Sequence, residues 1–407
     1  MRRETTPGPT TSDRWIVLGI VYLSFLAYAA VFQSIPPIVS LIIADLRLSH
    51  ATAGLLMSLF ALPGIFLSIP VGLLVDRRGP RIPMIACLIA TIVGTLLVAV
   101  GPTFPILAIG RVIAGAGGLS LFVVGSKYVA EWFVGRELGI AIGIYSTALP
   151  VATILALNTL GTVAIDLGWR DAVLVTVGLA SVALVAFVAL YRPAPSDRGP
   201  RTSPAPRTIL ALVKGLGLAI WLDGIVWLLF NAAVIAFLTF APDYFIARGY
   251  GIAVAGFLTS LLMLPSPFLA PLVGYLLDRL GHDEVWIGLG GLIVAGSIFA
   301  TPSSGMPLVG LLLLLGLGSA IVPTPVFALP TKLLRPRDVG TGYGIVNTCL
   351  NVGVVVGPLA AGFARDATGS YQLSFDLMAG FALLVLFAAG ALWLARGPAR
   401  LQAAHRR

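Results

Sequence analysis

The chain is divided into twelve apolar runs, at 15–35, 51–75, 82–100, 105–128, 138–162, 171–191, 217–241, 253–277, 285–301, 306–329, 340–363 and 373–395, each bounded by charged residues or by Pro and Gly. An α-helix rises about 1.5 Å per residue and needs about 20 apolar residues to cross the hydrocarbon core of a bilayer. The runs have that length, so the pattern predicts an all-α polytopic membrane protein of twelve transmembrane helices. Composition agrees: 58% of the 407 residues are hydrophobic and 11% charged, against about 25% charged in a soluble domain. A cytosolic enzyme is excluded. The first run follows Arg2, Arg3 and Arg14 and reaches Ala27-Tyr28-Ala29, the form of a cleaved signal. It is retained as a helix because the internal repeat described below requires it.

A net charge of +9 would suit a nucleic-acid partner only if the basic residues formed a face. They sit instead between the apolar runs, so no nucleic acid is expected, and membrane topology explains them. With the N-terminus inside, the cytoplasmic segments hold 20 Lys and Arg and the outer loops hold four, Arg47, Arg170, Arg248 and Arg365. Basic residues are retained on the cytoplasmic side, so both termini are expected there, in a multi-pass protein of the cell inner membrane.

Between the sixth and seventh runs lies a Pro- and Arg-rich stretch that cannot bury apolar area. It divides the chain into an N-terminal six-helix bundle at 1–191, a cytoplasmic linker at 192–216, and a C-terminal bundle with a basic tail at 217–407. A shift of 202 residues tests that division, laying 53–79 on 255–281 with 15 of 27 positions identical. Pro63, Gly72, Asp76, Arg77 and Gly79 fall on Pro265, Gly274, Asp278, Arg279 and Gly281. Apolar composition alone does not put Asp-Arg-x-Gly in register. The halves are therefore expected to be pseudo-symmetric repeats in parallel topology.

Gly72-Leu-Leu-Val-Asp76-Arg77-Arg78-Gly79-Pro80-Arg81, after the second run, resembles the loop signature of the major facilitator superfamily of secondary transporters, and Gly274-Tyr-Leu-Leu-Asp278-Arg279-Leu-Gly281 resembles its second-half copy. The resemblance implies alternating access, the two bundles rocking about a central site. It also implies a gating latch at the cytoplasmic ends, built from Gly72, Asp76, Arg77, Gly79 and Arg81 with Gly274, Asp278, Arg279 and Gly281. A plain positive-inside anchor would account for Arg78 but not for Asp76. Gln33-Ser-Ile-Pro-Pro37 and the Glu131–Glu137 turn more weakly resemble the cyanate, nitrate and organic-anion porters. The arginines that nitrate porters carry in their second and eighth helices are absent here.

Arg111-Val-Ile-Ala-Gly115-Ala-Gly117 resembles the family's fourth-helix R-x-x-x-G-x-G pattern. Six residues into that helix, Arg111 lies roughly 9 Å deep, where a cation costs on the order of 2.5–3.5 kcal/mol. Two readings stand: an anion-binding or coupling residue in a wet cavity, or an arginine that snorkels outward or is tied to carbonyls of the first helix. Lys127 and Glu131, four residues apart, suit an interfacial ion pair. Gly353, Gly357 and Gly362 around Pro358 permit close helix packing. The fifth helix has Ser146-Thr-Ala-Leu-Pro150-Val-Ala-Thr153 where the family's antiporters show G-x-x-x-G-P-x-x-G-G, which weighs against drug and proton antiport.

The family builds its cavity from the first, fourth, seventh and tenth helices. Candidates for substrate contact are Tyr28 and Gln33, Arg111, Trp227 and Asn231, and Thr324, flanked by Tyr145, Tyr343, Asn347 and Asn351. Asp223 is the one acid within a run away from the gating loops, either a proton carrier or a helix cap. Cys87 and Cys349 read as packing residues. His50, His282 and His405 fall at loops or the tail, and no enzymatic, cofactor or metal motif can be assembled. The sequence thus predicts a monomeric, lipid-embedded transporter of a small anionic solute, with H+ a candidate coupling ion. Proton-coupled efflux of lipophilic drugs or cations is the alternative, and a non-transporting receptor of this fold is a third.

Overall fold

The computed structural model describes residues 11–133, 136–193, 217–302, 307–335 and 338–404. Most of the linker expected at 192–216 lies outside the described residues, as does His405. For Gly72, Asp76, Arg77 and Asp278 the backbone path alone is described.

The first span runs over Thr11–Phe32, breaks, makes a short 3₁₀ turn at Pro36–Ile38 and continues over Val39–Leu46. Pro36 and Pro37 have no N–H to give the carbonyls of Phe32 and Gln33 four residues back, which places the break. The second (His50–Arg78), third (Arg81–Val100), fourth (Phe104–Trp132) and sixth (Trp169–Leu190) spans are single helices, and the fifth is split into Arg136–Ser146 and Ala148–Leu167. In the other half the seventh (Leu218–Ala247), ninth (Asp283–Ala300), eleventh (Val339–Thr368) and twelfth (Gln372–Ala404) are unbroken. The eighth is split into Ile252–Ser260 and Ser266–Leu280, and the tenth into Leu308–Ile321 and Pro323–Leu333. Eleven of these spans are long and apolar enough to cross a membrane, and the eighth contributes a shorter apolar helix at Ser266–Leu277. In hydrocarbon a backbone must bond to itself, and helices do this within one segment.

The halves meet through the second span against the eleventh and, as the repeat requires, the eighth against the fifth; the seventh also meets the end of the first. Glycine permits the approach. A Cβ on Gly54 would lie 2.4 Å from the Pro358 carbonyl oxygen, one on Gly362 2.5 Å from that of His50, and one on Gly256 1.9 Å from that of Leu157. Hydrogen bonds cross the same seam, among them one from Ser58 Oγ to the Val355 carbonyl at 2.6 Å and one from Asn158 Nδ2 to Ser260 Oγ at 3.0 Å. These residues cluster toward one mouth, the end bearing His50.

The opposite mouth carries the two Gly-x-x-x-Asp-Arg turns. Gly79 and Gly281, equivalent in the repeat, end the second span and the eighth with φ of 72° and 63°, a conformation that only glycine adopts without strain. Ion pairs at this end join helices of one half: Arg14 to Glu137 at 2.5 Å, Arg192 to Asp13, Lys332 to Asp283 at 2.6 Å and Arg396 to Glu284 at 2.6 Å.

Candidate functional site

An aromatic triad is found in each half. In the first half Phe122 of the fourth span lies 5.3 Å from Phe25 of the first and 6.0 Å from Tyr145 of the fifth, centroid to centroid. In the second half Phe327 of the tenth span lies 5.2 Å from Trp227 of the seventh and 6.5 Å from Tyr343 of the eleventh. Spans one, four and five correspond to seven, ten and eleven, and Phe25 falls on Trp227 at the same shift of 202. Phe122 is 38% and Phe327 42% exposed, whereas their ring partners on the surrounding spans are buried or half-buried. Each thus presents one apolar face outward from its triad. Phe25, Phe122 and Phe327 were not among the expected site residues. Their signal is Phe-x₄-Lys, which recurs as Phe122 to Lys127 and Phe327 to Lys332.

Behind the second triad runs a polar ladder. Asp223, Trp227 and Asn231 are spaced by four along the seventh helix, and Tyr343, Asn347 and Asn351 along the eleventh, so each set shares a face. The two helices pack closely, and a Cβ on Gly224 would meet Cys349 Sγ at 2.8 Å. Several groups here bond their own helix: Asn231 Nδ2 donates to the Trp227 carbonyl at 2.7 Å and Asn351 Nδ2 to that of Asn347 at 2.8 Å. The Tyr343 hydroxyl donates to the Phe327 carbonyl at 2.8 Å. Both carboxyl oxygens of Asp223, Nε1 of Trp227 and Oδ1 of Asn351 are buried with no hydrogen-bond partner among the described residues. Buried polar groups are ordinarily satisfied, so four such atoms on two packed helices mark a place for a guest or for water.

Asp223 is not a helix cap. It is 0% exposed and six positions from Gly217, which caps this helix without a side-chain bond. The capping reading is corrected accordingly, because orphan N–H groups belong to the first turn only.

Arg111 takes the second of its two expected readings. It is 1% exposed. Its Nε donates to the Leu56 carbonyl at 3.0 Å, Nη1 to that of Val31 at 3.0 Å and Nη2 to that of Phe32 at 3.3 Å, with its guanidinium 4.3 Å over the Phe60 ring. The expectation of a cavity cation is corrected: Pro36 has no N–H to give the Phe32 carbonyl four residues before it, and the guanidinium fork bonds that oxygen together with the Val31 and Leu56 carbonyls.

The remaining candidates are placed as follows. Tyr28 is buried between Phe25 and Phe60, at 5.5 and 5.9 Å. The Tyr145 hydroxyl donates to the Leu121 carbonyl at 3.3 Å. Gln33 Nε2 donates to Thr153 Oγ1 at 3.2 Å, while its Oε1 has no partner among the described residues. Thr324 lies beside Gly274 of the eighth span. Arg81 stacks over Tyr191 at 5.1 Å and Arg279 over Tyr275 at 4.7 Å, each within its own half.

The family model of the Major Facilitator Superfamily matches residues 21–254 and 239–407, and the chain belongs to that family. It is therefore a multi-pass membrane transporter of small molecules rather than an enzyme. The lysosomal dipeptide transporter MFSD1 of Danio rerio is 25% identical over 397 residues, covering 91% of this chain and 85% of the relative. The probable nitrate/nitrite antiporter NarK1 of Thermus thermophilus is 25% identical, covering 95% of this chain and 93% of the relative. Among solved structures, a bacterial homolog of the human lysosomal transporter Spinster, inward-facing and occupied, superposes with a TM-score of 0.79 at 16% identity, covering 95% of this chain and 97% of that one. The nucleoside transporter NupG superposes with a TM-score of 0.77 at 13% identity, covering 93% and 99%.

Proposed function

We propose that the chain is a secondary transporter of the inner membrane that carries a small solute bearing an anionic group together with a proton, Asp223 holding the proton. The unbonded atoms of Asp223 and Trp227 carry the reading. An ionised carboxylate with neither oxygen partnered costs several kcal/mol when taken out of water, so the arrangement suits the neutral acid. In that form Asp223 has an O–H to donate, and Trp227 has an indole N–H. Two donors on one helix face suit an anionic acceptor, and the ionised form of Asp223 would repel it. Solute and proton are thus taken up as a neutral pair. The charged groups acting on Asp223 are Asp283 and Arg396, already engaged in their own ion pairs; Tyr343 and Cys349 are its titratable neighbours on the eleventh span. This replaces Arg111 as the source of charge selection, and the solutes in the names of MFSD1 and NarK1 carry anionic groups.

With 20 basic residues on the side of the Asp76 and Asp278 turns, that side is cytoplasmic and both termini lie there. The joined mouth faces outward, and the state described is the inward-facing member of an alternating-access cycle. Halves bounded by the linker at 192–216 move as bodies, the Asp76 and Asp278 turns forming the latch of the opposite state. The same carboxyl group supports a second reading: ionised, Asp223 would attract a lipophilic cation for efflux.

Proteoliposome uptake separates the two. The probes are radiolabelled inorganic anions, small carboxylates and dipeptides, with tetraphenylphosphonium as the cation. Proton-coupled anion transport is expected to quicken with acid on the side of uptake, and Asp223→Asn to keep the uptake while losing that dependence. Tetraphenylphosphonium transport abolished by Asp223→Asn would establish the cation reading instead.

A further inference from the structure

His50 sits where both halves converge at the joined mouth. It opens the second span, in the first half. Its Nδ1 lies 3.1 Å from Asp366 Oδ1 of the eleventh span and its Nε2 3.3 Å from Asp243 Oδ2 of the seventh, both in the second half. An ionised carboxylate only accepts hydrogen bonds, and only the imidazolium has an N–H at each ring nitrogen. Two carboxylates on opposite sides of one ring therefore fit its charged form.

The surroundings are fixed independently of the ring. Asp366 accepts from the backbone N–H of His50 at 2.9 Å and of Ala51 at 2.8 Å, so an acid of one half satisfies the first turn of a helix in the other. Asp243 accepts from the Tyr371 hydroxyl, whose pKa burial and the Asp243 carboxylate both raise, which keeps it a donor. The His50 ring is edge-on to Tyr371 at 5.9 Å and 6.3 Å from Phe240. Arg365, 4.6 Å over the Tyr371 ring, is a like charge on the same cluster. Asp243, Asp366, Arg365 and Tyr371 are thus the titratable or charged groups that face His50 from the seventh and eleventh spans and the turn into the twelfth.

We propose that His50 is a proton-binding site of this mouth: its imidazolium ties the first half to Asp243 and Asp366 of the second, and loss of the proton frees the mouth to open. The neutral ring keeps one N–H, so one of its two contacts becomes a lone pair facing a carboxylate. The bonds from Asp366 to the backbone survive, so the second span keeps its end. The sign follows from which form makes the tie. Closure is favoured below the pH at which the imidazolium titrates and weakens as pH rises through it. Asp223 lies in the other part of the second half, so the two proton sites are separate.

The proposal rests on the alternating-access reading but not on the identity of the solute, and the test is made without one. Spin labels at Ala44→Cys and Gln372→Cys, exposed positions in opposite halves near this mouth, report its width by pulsed electron resonance in nanodiscs from about pH 5 to about pH 9, the range over which histidine titrates. The long-distance population is expected to rise severalfold toward alkaline pH. His50→Gln should remove that dependence, His50→Lys, a fixed cation, should hold the short distance throughout, and Gly19→Ala, where a Cβ meets nothing within 4 Å, should leave the transition as in the parent. A parent distribution that does not change with pH, or a transition retained in His50→Gln, overturns the proposal.

Discussion

Gly54 and Pro358 lie so close across the two halves that a Cβ on the glycine would come within 2.4 Å of the proline carbonyl oxygen, with the Phe240 ring at 3.3 Å. Pro358 has no N–H to bond the turn before it, and its own carbonyl is the atom pressed against the second span. Gly54→Val is therefore expected to penalise the joined mouth by roughly 1–3 kcal/mol of overpacking and to shift the Ala44/Gln372 label pair toward long distances. Gly19→Ala, where a Cβ meets nothing within 4 Å, should leave the distribution as it is.

Removing Arg111 takes the guanidinium donor from the Phe32 carbonyl and a second bond from those of Val31, which keeps Ser34, and Leu56, which lies inside the second helix. At about 1–3 kcal/mol per buried unsatisfied group, Arg111→Ala should lower the melting temperature whether or not anions are present. Arg111→Lys should recover part of the loss, since an ammonium lacks the planar fork. A variant with parental stability and abolished anion uptake would return Arg111 to the substrate site.

Trp227→Phe keeps an aromatic ring against Phe230 and Phe327, at 5.2 Å from each, but deletes the unbonded indole N–H. Solute affinity, followed by thermal shift in the uptake-positive member of the anion panel, should fall about tenfold, the equivalent of about 1.4 kcal/mol. Tyr145→Phe removes a hydroxyl already bonded to a carbonyl and should change affinity far less.

Asp76→Asn is expected to slow conformational exchange more than it weakens binding, because the latch would be made in the opposite state. Stopped-flow transport beside equilibrium binding measures both, and equal transport rates would count against a latch. Asp278→Asn, at the equivalent position, should act in the same direction.

Much of the architecture could be read from the residues because each helix must satisfy its own backbone in lipid, and run length then reports helix length. The Asp-Arg-x-Gly register exposed the duplication for the same reason, since a tight turn and a charge pair restrict what a position can hold. The site was harder. Trp227, Asn231, Tyr343, Asn347 and Asn351 were visible as polar or aromatic groups in apolar runs, yet Phe122 and Phe327 were hidden among other apolar residues. His50 looked like a loop residue, and nothing local to it announces Asp366, 316 positions later. Arg111 was legible as a buried cation but not in its role, which depends on where the first helix breaks.

That break has a consequence for the whole transport path. At the fourth span's shift of 201, which lays Gly115 on Gly316, Arg111 falls on Leu312, and at the first span's shift of 202 Asp223 falls on Val21. Both apolar counterparts are fully buried. The seventh helix, unbroken over Leu218–Ala247, leaves no severed end for a cation to mend. The first half therefore buries a cation that ties its own helices and the second a carboxyl group beside the polar ladder, so bundles alike in shape are unlike in charge.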